Sequence, residues 1–209
     1  MESPGLSRRL PPLSVLTRAL DASAEGFRED TNGATLFQRE KSANFPAMDT
    51  SIQVGIVTVS DRAAAGEYQD LGGPALRKEC ERRGWPVRAE AVVPDEVERI
   101  QETLRSFGAQ GCSLILTTGG TGIAERDVTP EAIRALMRVE LPGFGEVMRL
   151  ESMKLTKNAI LSRGLAAVVE RSLVIALPGK PQGAVDCLGF VDGAVEHGVK
   201  LAQRAPTSC

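Results

Sequence analysis

From Ile52 onward, short runs of apolar and β-branched residues alternate along the chain with segments of helical periodicity. The first run, residues 52–59, has the composition of a buried strand. Similar runs follow at residues 87–93, 114–118 and 173–177. Because strands that are joined through helices pair in parallel, the alternation predicts an α/β fold. We expect a single three-layer domain with a mainly parallel sheet covered by helices on both faces.

Four helices are predicted between and after these strands. The first covers residues 73–83, where Pro74 suits the first turn and Gly84 the end. The second opens at residues 94–98, and its apolar residues recur three and four apart on one face. Its apolar face comprises Val97, Ile100, Leu104 and Phe107. The third, from Pro130, is predicted to bury Ile133, Leu136 and Met137, and the last runs through Val185, Leu188 and Val191.

Residues 1–50 have mixed charge and scattered Gly, Pro and Ser, with no sustained periodicity. We expect a flexible N-terminal extension there, then one domain over residues 51–202 and a short tail over residues 203–209. Arginines in the opening stretch resemble a transit peptide only faintly, because acidic residues soon follow. Met48 directly precedes the first strand, so an alternative is that the working protein begins there.

Composition excludes several classes of partner. The formal net charge is −2 and the pI about 5.6, which favours neither nucleic acid nor a membrane surface as partner. No apolar run approaches the roughly 20 residues of a membrane span, and we expect a cytoplasmic protein. Four cysteines without a C-x-x-C pair argue against a disulfide scaffold or a cysteine zinc site. The single histidine, His197, is expected at the surface or at a helix end.

One strand-like run, residues 114–118, ends directly in glycines at positions 119, 120 and 122, and a helix start follows at Thr129 and Pro130. Glycines lack a Cβ atom, so successive N–H groups can converge on one anion. The segment therefore predicts a phosphate-binding loop. A tight turn is the alternative, because the pattern is neither a P-loop nor a Rossmann fingerprint.

Two aspartates are candidates for the chemistry. Asp127 lies between the glycines and the helix start, beside the predicted phosphate site. A carboxylate and a phosphate repel each other at that distance unless a cation lies between them. Mg²⁺ is the natural cation for carboxylate and phosphate oxygens, and a turn or capping aspartate is the simpler alternative. Asp95 stands three residues before Glu98 at the start of an apolar helical run. That spacing indicates a capping box, so the local sequence favours Asp95 as a helix cap.

Ligands of open α/β sheets bind beyond the carboxyl ends of strands. Three segments follow strand ends in this sequence: residues 60–62, 118–127 and 178–181. We therefore expect these segments to line a common site.

Taken in order, these segments resemble the Mog-type molybdopterin adenylyltransferases of molybdenum cofactor biosynthesis, a family that includes the G domains of gephyrin and its plant counterpart. The resemblance covers about residues 52–195. The matching motifs are Val59-Ser60-Asp61-Arg62 with Gly66-Glu67-Tyr68-Gln69-Asp70, Val93-Pro94-Asp95-Glu96, Leu116 to Gly122, Arg126 to Pro130, Leu141 to Glu146, Leu161-Ser162-Arg163, and Leu177-Pro178-Gly179.

This resemblance implies a MogA-like α/β domain that assembles as a homotrimer and transfers AMP from Mg-ATP to the terminal phosphate of molybdopterin. ATP and molybdopterin are then the substrates, Mg²⁺ the cofactor, and a molybdenum insertase the downstream partner. The two functionally important aspartates of the family fall on Asp95 and Asp127, which we assign to catalysis and to Mg²⁺. Nucleotide and phosphate binding is expected at Thr118, Gly119, Gly120, Thr121, Gly122, Pro178, Gly179 and Lys180, and pterin binding at Ser60, Asp61, Arg62, Ser162 and Arg163.

Some positions leave alternatives open. Lys180 stands where the family often has a small polar residue, and either contacts phosphate or lies in solvent. Asp186 replaces the family's usual glutamate before cysteine, which puts any role at that position in doubt. Arg62 and Arg163 either bind phosphate, or face solvent or pair locally. The alternative functions are a MoaB-type protein and a non-catalytic molybdopterin-binding or scaffold module.

Overall fold

The structure is a computed structural model that describes residues 52–203. The expected extension over residues 1–50, the alternative start at Met48 and positions 204–209 of the expected tail lie outside the described residues. Within residues 52–203, none of the helices combines the length and the apolar character that a membrane span requires.

Six strands of the described chain form one sheet. Their bounds are β1 Val54–Val59, β2 Val87–Val93, β3 Leu114–Thr118, β4 Val139–Glu140, β5 Ala166–Val169 and β6 Ser172–Leu177. The strand order is β2-β1-β3-β6-β5-β4, and the first four strands of that order are parallel. β5 pairs antiparallel with β6, and β4 antiparallel with β5. The expected mainly parallel sheet is confirmed.

The helices that connect and cover the strands include the four that the sequence predicts. Their bounds are α1 Asp61–Ala64, α2 Gly72–Arg82, α3 Val97–Ala109, α4 Thr129–Arg134, α5 Pro142–Met153 and α6 Pro181–Gln203, with a 3₁₀ helix at Lys157–Leu161. Gly84, just beyond α2, has a φ of +70°, the left-handed conformation that commonly ends a helix.

Two hydrophobic clusters lie on opposite faces of the sheet. Because side chains alternate along a strand, Leu114 and Leu116 face one cluster and Ile115 the other. Helices α2 and α6 complete the first cluster with Leu76, Cys80, Leu188 and Val195. Helices α3 and α4 complete the second with Ile100, Leu104, Phe107 and Ile133. The three-layer α/β arrangement is therefore confirmed.

The segment between α4 and β6 differs from the prediction. Helix α4 ends at Arg134, so Leu136 and Met137 lie beyond it, although both still pack against the second cluster. Strands β4 and β5, helix α5 and the 3₁₀ helix were not predicted. The β5–β6 hairpin turns at Glu170, whose φ is +50°, without the Asn-Gly or Asp-Gly pair that usually marks such a turn. The first turn of α5 holds two glycines, which weaken a helical pattern.

Candidate active site

The carboxyl ends of four strands meet at one edge of the sheet. β2, β1, β3 and β6 are parallel neighbours, so their carboxyl ends lie side by side. Ser60 follows β1, Asp95 lies just beyond β2, Gly119 follows β3 and Pro178 follows β6. The three segments that sequence analysis expected together are thus brought to one edge, and the Asp95 turn joins them.

The glycine loop, residues 119–127, has fixed geometry where it leaves β3. Gly119 has a φ of +103°, and a Cβ atom there would lie 2.1 Å from the Val59 carbonyl oxygen, so only glycine fits. The Thr129 hydroxyl donates to the Gly119 carbonyl oxygen at 2.9 Å. The Thr129 N–H donates to the carbonyl oxygen of Gly120 at 3.1 Å. The loop is therefore fastened to the start of α4.

Three successive N–H groups of the glycine loop remain available. Those of Gly120, Thr121 and Gly122 donate to no acceptor within residues 52–203. Successive N–H groups without partners form a concavity that suits an anion, and a phosphate oxygen is the natural acceptor. The loop thus has the donors that a phosphate-binding role requires.

Arg163, from a distant segment of the chain, holds the glycine loop in place through hydrogen bonds. Its main-chain N–H donates to the Thr121 carbonyl oxygen at 2.9 Å, and its Nε donates to that of Gly122 at 2.6 Å. The guanidinium also donates to the main-chain oxygen of Asp127 and to the carboxylate of Glu131. Arg163 therefore pairs locally, which is one of the alternatives given for it above.

The prediction that Asp95 caps α3 is wrong. Glu96 is the residue that precedes the helix, and its side chain makes no capping hydrogen bond. Among the described residues no N–H of α3 donates to Asp95, and its Oδ2 instead accepts the Asp61 N–H at 2.8 Å. Its Oδ1 lies 3.1 Å from where a Cβ atom of Gly120 would be. The carboxylate therefore faces the glycine loop.

Burial raises the pKa of the Asp95 carboxyl above its ordinary value, and the charges of Asp61 and Asp127 raise it as well. The hydrogen bond from the Asp61 main chain and the charge of Arg126 act in the opposite direction. The carboxylates of Asp95 and Asp127 both lie against the glycine loop, at Gly120 and Gly122 respectively. A cation bound near both would offset the repulsion between them.

Asp127 is the last residue of the glycine loop, and its carboxylate turns back toward Gly122 and Ala124. Its Oδ2 accepts the Ala124 N–H at 2.7 Å and lies 2.7 Å from where a Cβ atom of Gly122 would be. Asp127 therefore has the turn role that the sequence analysis gave as its simpler alternative. Among the described residues, no donor bonds to Oδ1 of Asp127 or to Oδ1 of Asp95. Each carboxylate therefore keeps one oxygen available.

Asp61 is fully engaged within the protein. Arg126 donates to it twice, from Nε to Oδ2 at 3.0 Å and from Nη2 to Oδ1 at 2.7 Å. The hydrogen bonds from Arg126 lower the pKa of the Asp61 carboxyl. Its Oδ1 also accepts the Asp95 N–H at 2.9 Å. Sequence reasoning assigned Arg126 no role, although its place beside Asp127 in a family motif was a signal.

The residues fit one mode of metal binding. In the described part of the chain, no three or more His, Cys, Asp or Glu side chains form a group able to hold a metal ion. Mg²⁺, however, is usually bound through one or two carboxylates and takes its other ligands from water and substrate phosphates. The free oxygens of Asp95 and Asp127, beside unpaired loop N–H groups, suit that mode.

Two cavities border the glycine loop. The Tyr68 cavity, about 260 Å³, is lined by Ser60, Arg62, Tyr68, Asp70, Thr118 and Gly119 among others. The Met148 cavity, about 430 Å³, is lined by Thr121, Gly122, Met148, Arg149, Ser162 and Pro178 among others. Gly179 and Lys180 line both, so the two cavities adjoin there.

The expected binding residues divide between these cavities. Seven of the eight nucleotide and phosphate positions line one or both, and Gly120 lines neither. Of the expected pterin residues, Ser60 and Arg62 line the Tyr68 cavity and Ser162 lines the Met148 cavity. Asp61 and Arg163 line neither cavity, and their polar groups are occupied by the contacts described above.

Arg62 and Asp70 shape the Tyr68 cavity. The Arg62 guanidinium lies 5.3 Å from the centre of the Tyr68 ring, a cation–π contact that leaves its charge at the cavity. Asp70 accepts the Thr58 hydroxyl at 2.8 Å and the Gly72 N–H at 2.9 Å, so it fixes the start of α2. Sequence reasoning missed Asp70 as a site residue, although an aspartate two positions before a helix is a capping signal.

The remaining candidates have simpler surroundings. Lys180 is exposed between the two cavities, and Asp186 accepts a hydrogen bond from Gln182 at 2.8 Å on α6. His197 is exposed on α6, as expected.

Three cysteines, Cys80, Cys112 and Cys187, are free and buried, while Cys209 lies outside the described residues. Burial raises the pKa of the Cys80 thiol to about 12, which makes it unreactive.

Known proteins share both the sequence and the fold. A family model described as a probable molybdopterin binding domain matches residues 55–196. The molybdopterin adenylyltransferase of Haemophilus influenzae is 45% identical over 144 residues, covering 68% of this chain and 73% of the relative. That of Escherichia coli K12 is 41% identical over 162 residues, covering 71% of this chain and 80% of the relative.

Solved structures agree with this match. The molybdopterin biosynthesis enzyme MoaB from Thermus thermophilus superposes with a TM-score of 0.69 at 43% identity, over 75% of this chain and 99% of that protein. A structure of MogA superposes with a TM-score of 0.68 at 35% identity, over 72% and 99%. The chain therefore belongs to the molybdenum cofactor biosynthesis family that contains the MoaB and MogA proteins.

Proposed function

We propose that this protein is a molybdopterin adenylyltransferase, which transfers AMP from Mg-ATP to the terminal phosphate of molybdopterin. The products would be adenylyl-molybdopterin and pyrophosphate. Relatives that are 45% and 41% identical carry this name. The observation that carries the proposal is local. Asp95 and Asp127 face one glycine loop, and within residues 52–203 each keeps an oxygen without a donor, beside three loop N–H groups without an acceptor.

In the proposed step, an oxygen of the molybdopterin phosphate attacks the α-phosphorus of ATP. A new P–O bond forms while the bond from the α-phosphorus to the α–β bridging oxygen breaks, and pyrophosphate leaves. The second pKa of a phosphate monoester is about 6, so the attacking group is largely ionised at neutral pH. No general base is needed, which agrees with a chain whose one histidine, His197, is exposed on α6.

The protein must therefore supply position and charge neutralisation, because two anionic phosphates repel each other as they approach. The unpaired N–H groups of Gly120, Thr121 and Gly122 would bind phosphate oxygens. The free oxygens of Asp95 and Asp127 would hold Mg²⁺ or its coordinated waters. When bound, Mg²⁺ supplies positive charge between the reacting phosphates.

The Tyr68 and Met148 cavities would hold the two substrates. They adjoin at Gly179 and Lys180, directly beside the glycine loop, so substrates in both could bring their phosphates together there. Arg62 and Lys180 place positive charge at the Tyr68 cavity, which suits a phosphorylated ligand. Ser60, Arg62 and Ser162 remain the proposed pterin contacts.

The expected assembly also follows the family. We propose a cytoplasmic homotrimer that passes its product to a molybdenum insertase. Large apolar side chains are exposed on α5 and the 3₁₀ helix, at Val147, Leu150, Ile160 and Leu161. Exposed apolar surface of this kind is typical of an association site. Light scattering after size-exclusion chromatography should give three times the chain mass of 22.3 kDa.

Molybdopterin binding without AMP transfer, as in a MoaB-type protein or scaffold module, is the second candidate function. The similarity to a solved MoaB at 43% identity favours it. Incubation of the protein with molybdopterin, ATP and Mg²⁺ distinguishes the two. We expect adenylyl-molybdopterin and an equal amount of pyrophosphate, whereas tight molybdopterin binding without either product would establish the second candidate.

A further inference from the structure

We propose that Asp61 and Arg126 act as a positioning pair, which fixes Asp95 relative to the loop that carries Asp127, and that neither binds a substrate. This inference rests on the proposed AMP transfer. It also replaces the pterin contact that family resemblance implies for Asp61. Two features support the positioning role: a closed hydrogen-bonded ring between Asp61 and Asp95, and an ion pair in which Arg126 binds both carboxylate oxygens of Asp61.

The ring joins Asp61 to Asp95. The Asp61 N–H donates to Oδ2 of Asp95 at 2.8 Å, and the Asp95 N–H donates to Oδ1 of Asp61 at 2.9 Å. Each residue thus donates its main-chain N–H to the other and accepts a hydrogen bond with its own carboxylate. Because Oδ2 of Asp95 is held in this way, the carboxylate cannot turn without breaking the ring. Its Oδ1 is left toward Gly120.

The ion pair joins the ring to the glycine loop. Arg126 directly precedes Asp127, and its guanidinium binds both carboxylate oxygens of Asp61. Two parallel bonds from a planar guanidinium fix orientation as well as distance. The Arg126 side chain is 60% exposed and that of Asp61 43%, so the pair contributes little to overall stability. Its consequence is local: the Asp95 turn and the Asp127 loop are held together.

The polar groups of the pair are used within the protein. Asp61 and Arg126 line neither the Tyr68 nor the Met148 cavity, and the same is true of Asp95 and Asp127. The Asp61 carboxylate already accepts three hydrogen bonds, one from Asp95 and two from Arg126. Arg126 also places a positive charge near Asp95, which opposes the repulsion between the Asp95 and Asp61 carboxylates.

The experiment compares steady-state AMP transfer by wild type and by variants of the pair. Asp61→Asn keeps an acceptor for the Asp95 N–H but loses the ion pair, and Asp61→Ala loses both. Arg126→Gln removes the ion pair, while Arg126→Lys retains the charge with a single point contact. Glu125→Gln, an exposed neighbour in the same loop, is the matched control.

A positioning role predicts losses in kcat with little change in KM. We expect kcat to fall about tenfold or more in Arg126→Gln and Asp61→Asn, further in Asp61→Ala, and less in Arg126→Lys. The KM values for ATP and molybdopterin should stay within about twofold of wild type. The double variant Asp61→Asn/Arg126→Gln should be no slower than its slower parent, because the two residues act as one unit.

A second readout does not depend on turnover. In Arg126→Gln, amide hydrogen exchange at Asp95 should accelerate, while exchange in the buried strand β1 should stay at the wild-type rate. A raised KM for molybdopterin at unchanged kcat would show substrate contact and overturn the inference. Wild-type kcat in the variants, additive losses in the double variant or unchanged exchange at Asp95 would also overturn it. A wild-type protein without AMP transfer would refute the proposed function itself, and this inference with it.

Discussion

Asp61 and Asp95, 34 positions apart in the chain, each donate a main-chain N–H to the carboxylate of the other, at 2.8 and 2.9 Å. This ring continues the pairing of β1 with β2 beyond the strands, where the Ser60 N–H already donates to the Val93 carbonyl oxygen at 2.9 Å. Asp95 is therefore held by the edge of the sheet rather than by α3. A proposed Mg²⁺ ligand thus has its orientation set by the fold.

Replacement of Asp127 by asparagine should abolish most AMP transfer without unfolding the protein. An amide oxygen can still accept the Ala124 N–H, but the negative charge proposed to hold Mg²⁺ is lost. We expect pyrophosphate release to fall by about 100-fold or more, with a Tm close to that of wild type. Glu125→Gln, exposed in the same loop, is the control and should keep full activity. Wild-type rates in Asp127→Asn would refute the assignment.

Replacement of Gly119 by alanine should damage both stability and activity. The new Cβ atom would lie 2.1 Å from the Val59 carbonyl oxygen, at a φ of +103°. Strained backbone of this kind costs about 1–3 kcal/mol, and the clash adds to that cost. Gly143→Ala in α5 is the control, since nothing lies within 4 Å of its Cβ position, and it should stabilise by about 0.5–1 kcal/mol. Equal urea midpoints for the two variants would contradict the geometry.

Variants of Arg163 distinguish two possible roles of this residue: holding the glycine loop in place and binding phosphate by charge. Lysine keeps the positive charge but cannot reproduce the forked contacts to Gly122, Asp127 and Glu131. If the role of Arg163 is to fasten the loop, Arg163→Lys should lose activity nearly as much as Arg163→Gln, by about tenfold or more. Amide exchange in the glycine loop should rise in both. Arg134→Gln, whose ion pair with Glu140 is long at 3.5 Å, should change little. Full activity in Arg163→Lys would instead indicate that the charge alone matters.

Glu79 should make stability depend on acidic pH. The hydrogen bonds from Arg82, and the charge of Arg83, lower the pKa of the Glu79 carboxyl below its ordinary value of 4.5. Because the pKa is lower in the folded state, this stabilisation is complete above about pH 4.5 and is lost as pH falls through the folded-state pKa. Glu79→Gln should therefore lower the free energy of unfolding by about 1–3 kcal/mol at pH 7.

The same variant should differ progressively less from wild type as the pH falls below 4.5. Glu81→Gln, in the same helix but 62% exposed and 3.9 Å from Arg77, is the control and should change stability little at either pH. Chemical denaturation at a series of pH values measures both. A Glu79→Gln deficit that stays constant down to about pH 3 would contradict the assigned cause.

Sequence patterns were sufficient wherever local physics decides the structure. Pro74 and Gly84 bracket α2, and the apolar spacing of Ile100, Leu104 and Phe107 identifies the buried face of α3. The β5–β6 hairpin could not be predicted because its turn places Glu170, rather than glycine or asparagine, at positive φ. The local spacing gave a wrong prediction for Asp95. The Asp95–Glu98 spacing of a capping box is present in the sequence, but α3 begins one residue later than that spacing requires.

The candidate site was only partly predictable for the same reason. The glycine loop and Asp127 are local motifs, so their place at the end of β3 could be expected. The contacts that hold them are not local: Arg163 lies 41 positions from Gly122, and Arg126 lies 65 from Asp61. Such partners are brought together only by the sheet. Family resemblance named Asp61 and Arg163 but did not reveal that their polar groups are used within the protein.

The most direct test of the proposed function follows the α-phosphate of ATP. The protein is incubated with molybdopterin, Mg²⁺ and ATP labelled at the α-phosphorus, and the label in molybdopterin is compared with the pyrophosphate released. AMP transfer predicts one labelled adenylyl group on molybdopterin for each pyrophosphate, with both lost in Asp127→Asn. Binding of molybdopterin with no label transferred by the wild-type protein would contradict the account.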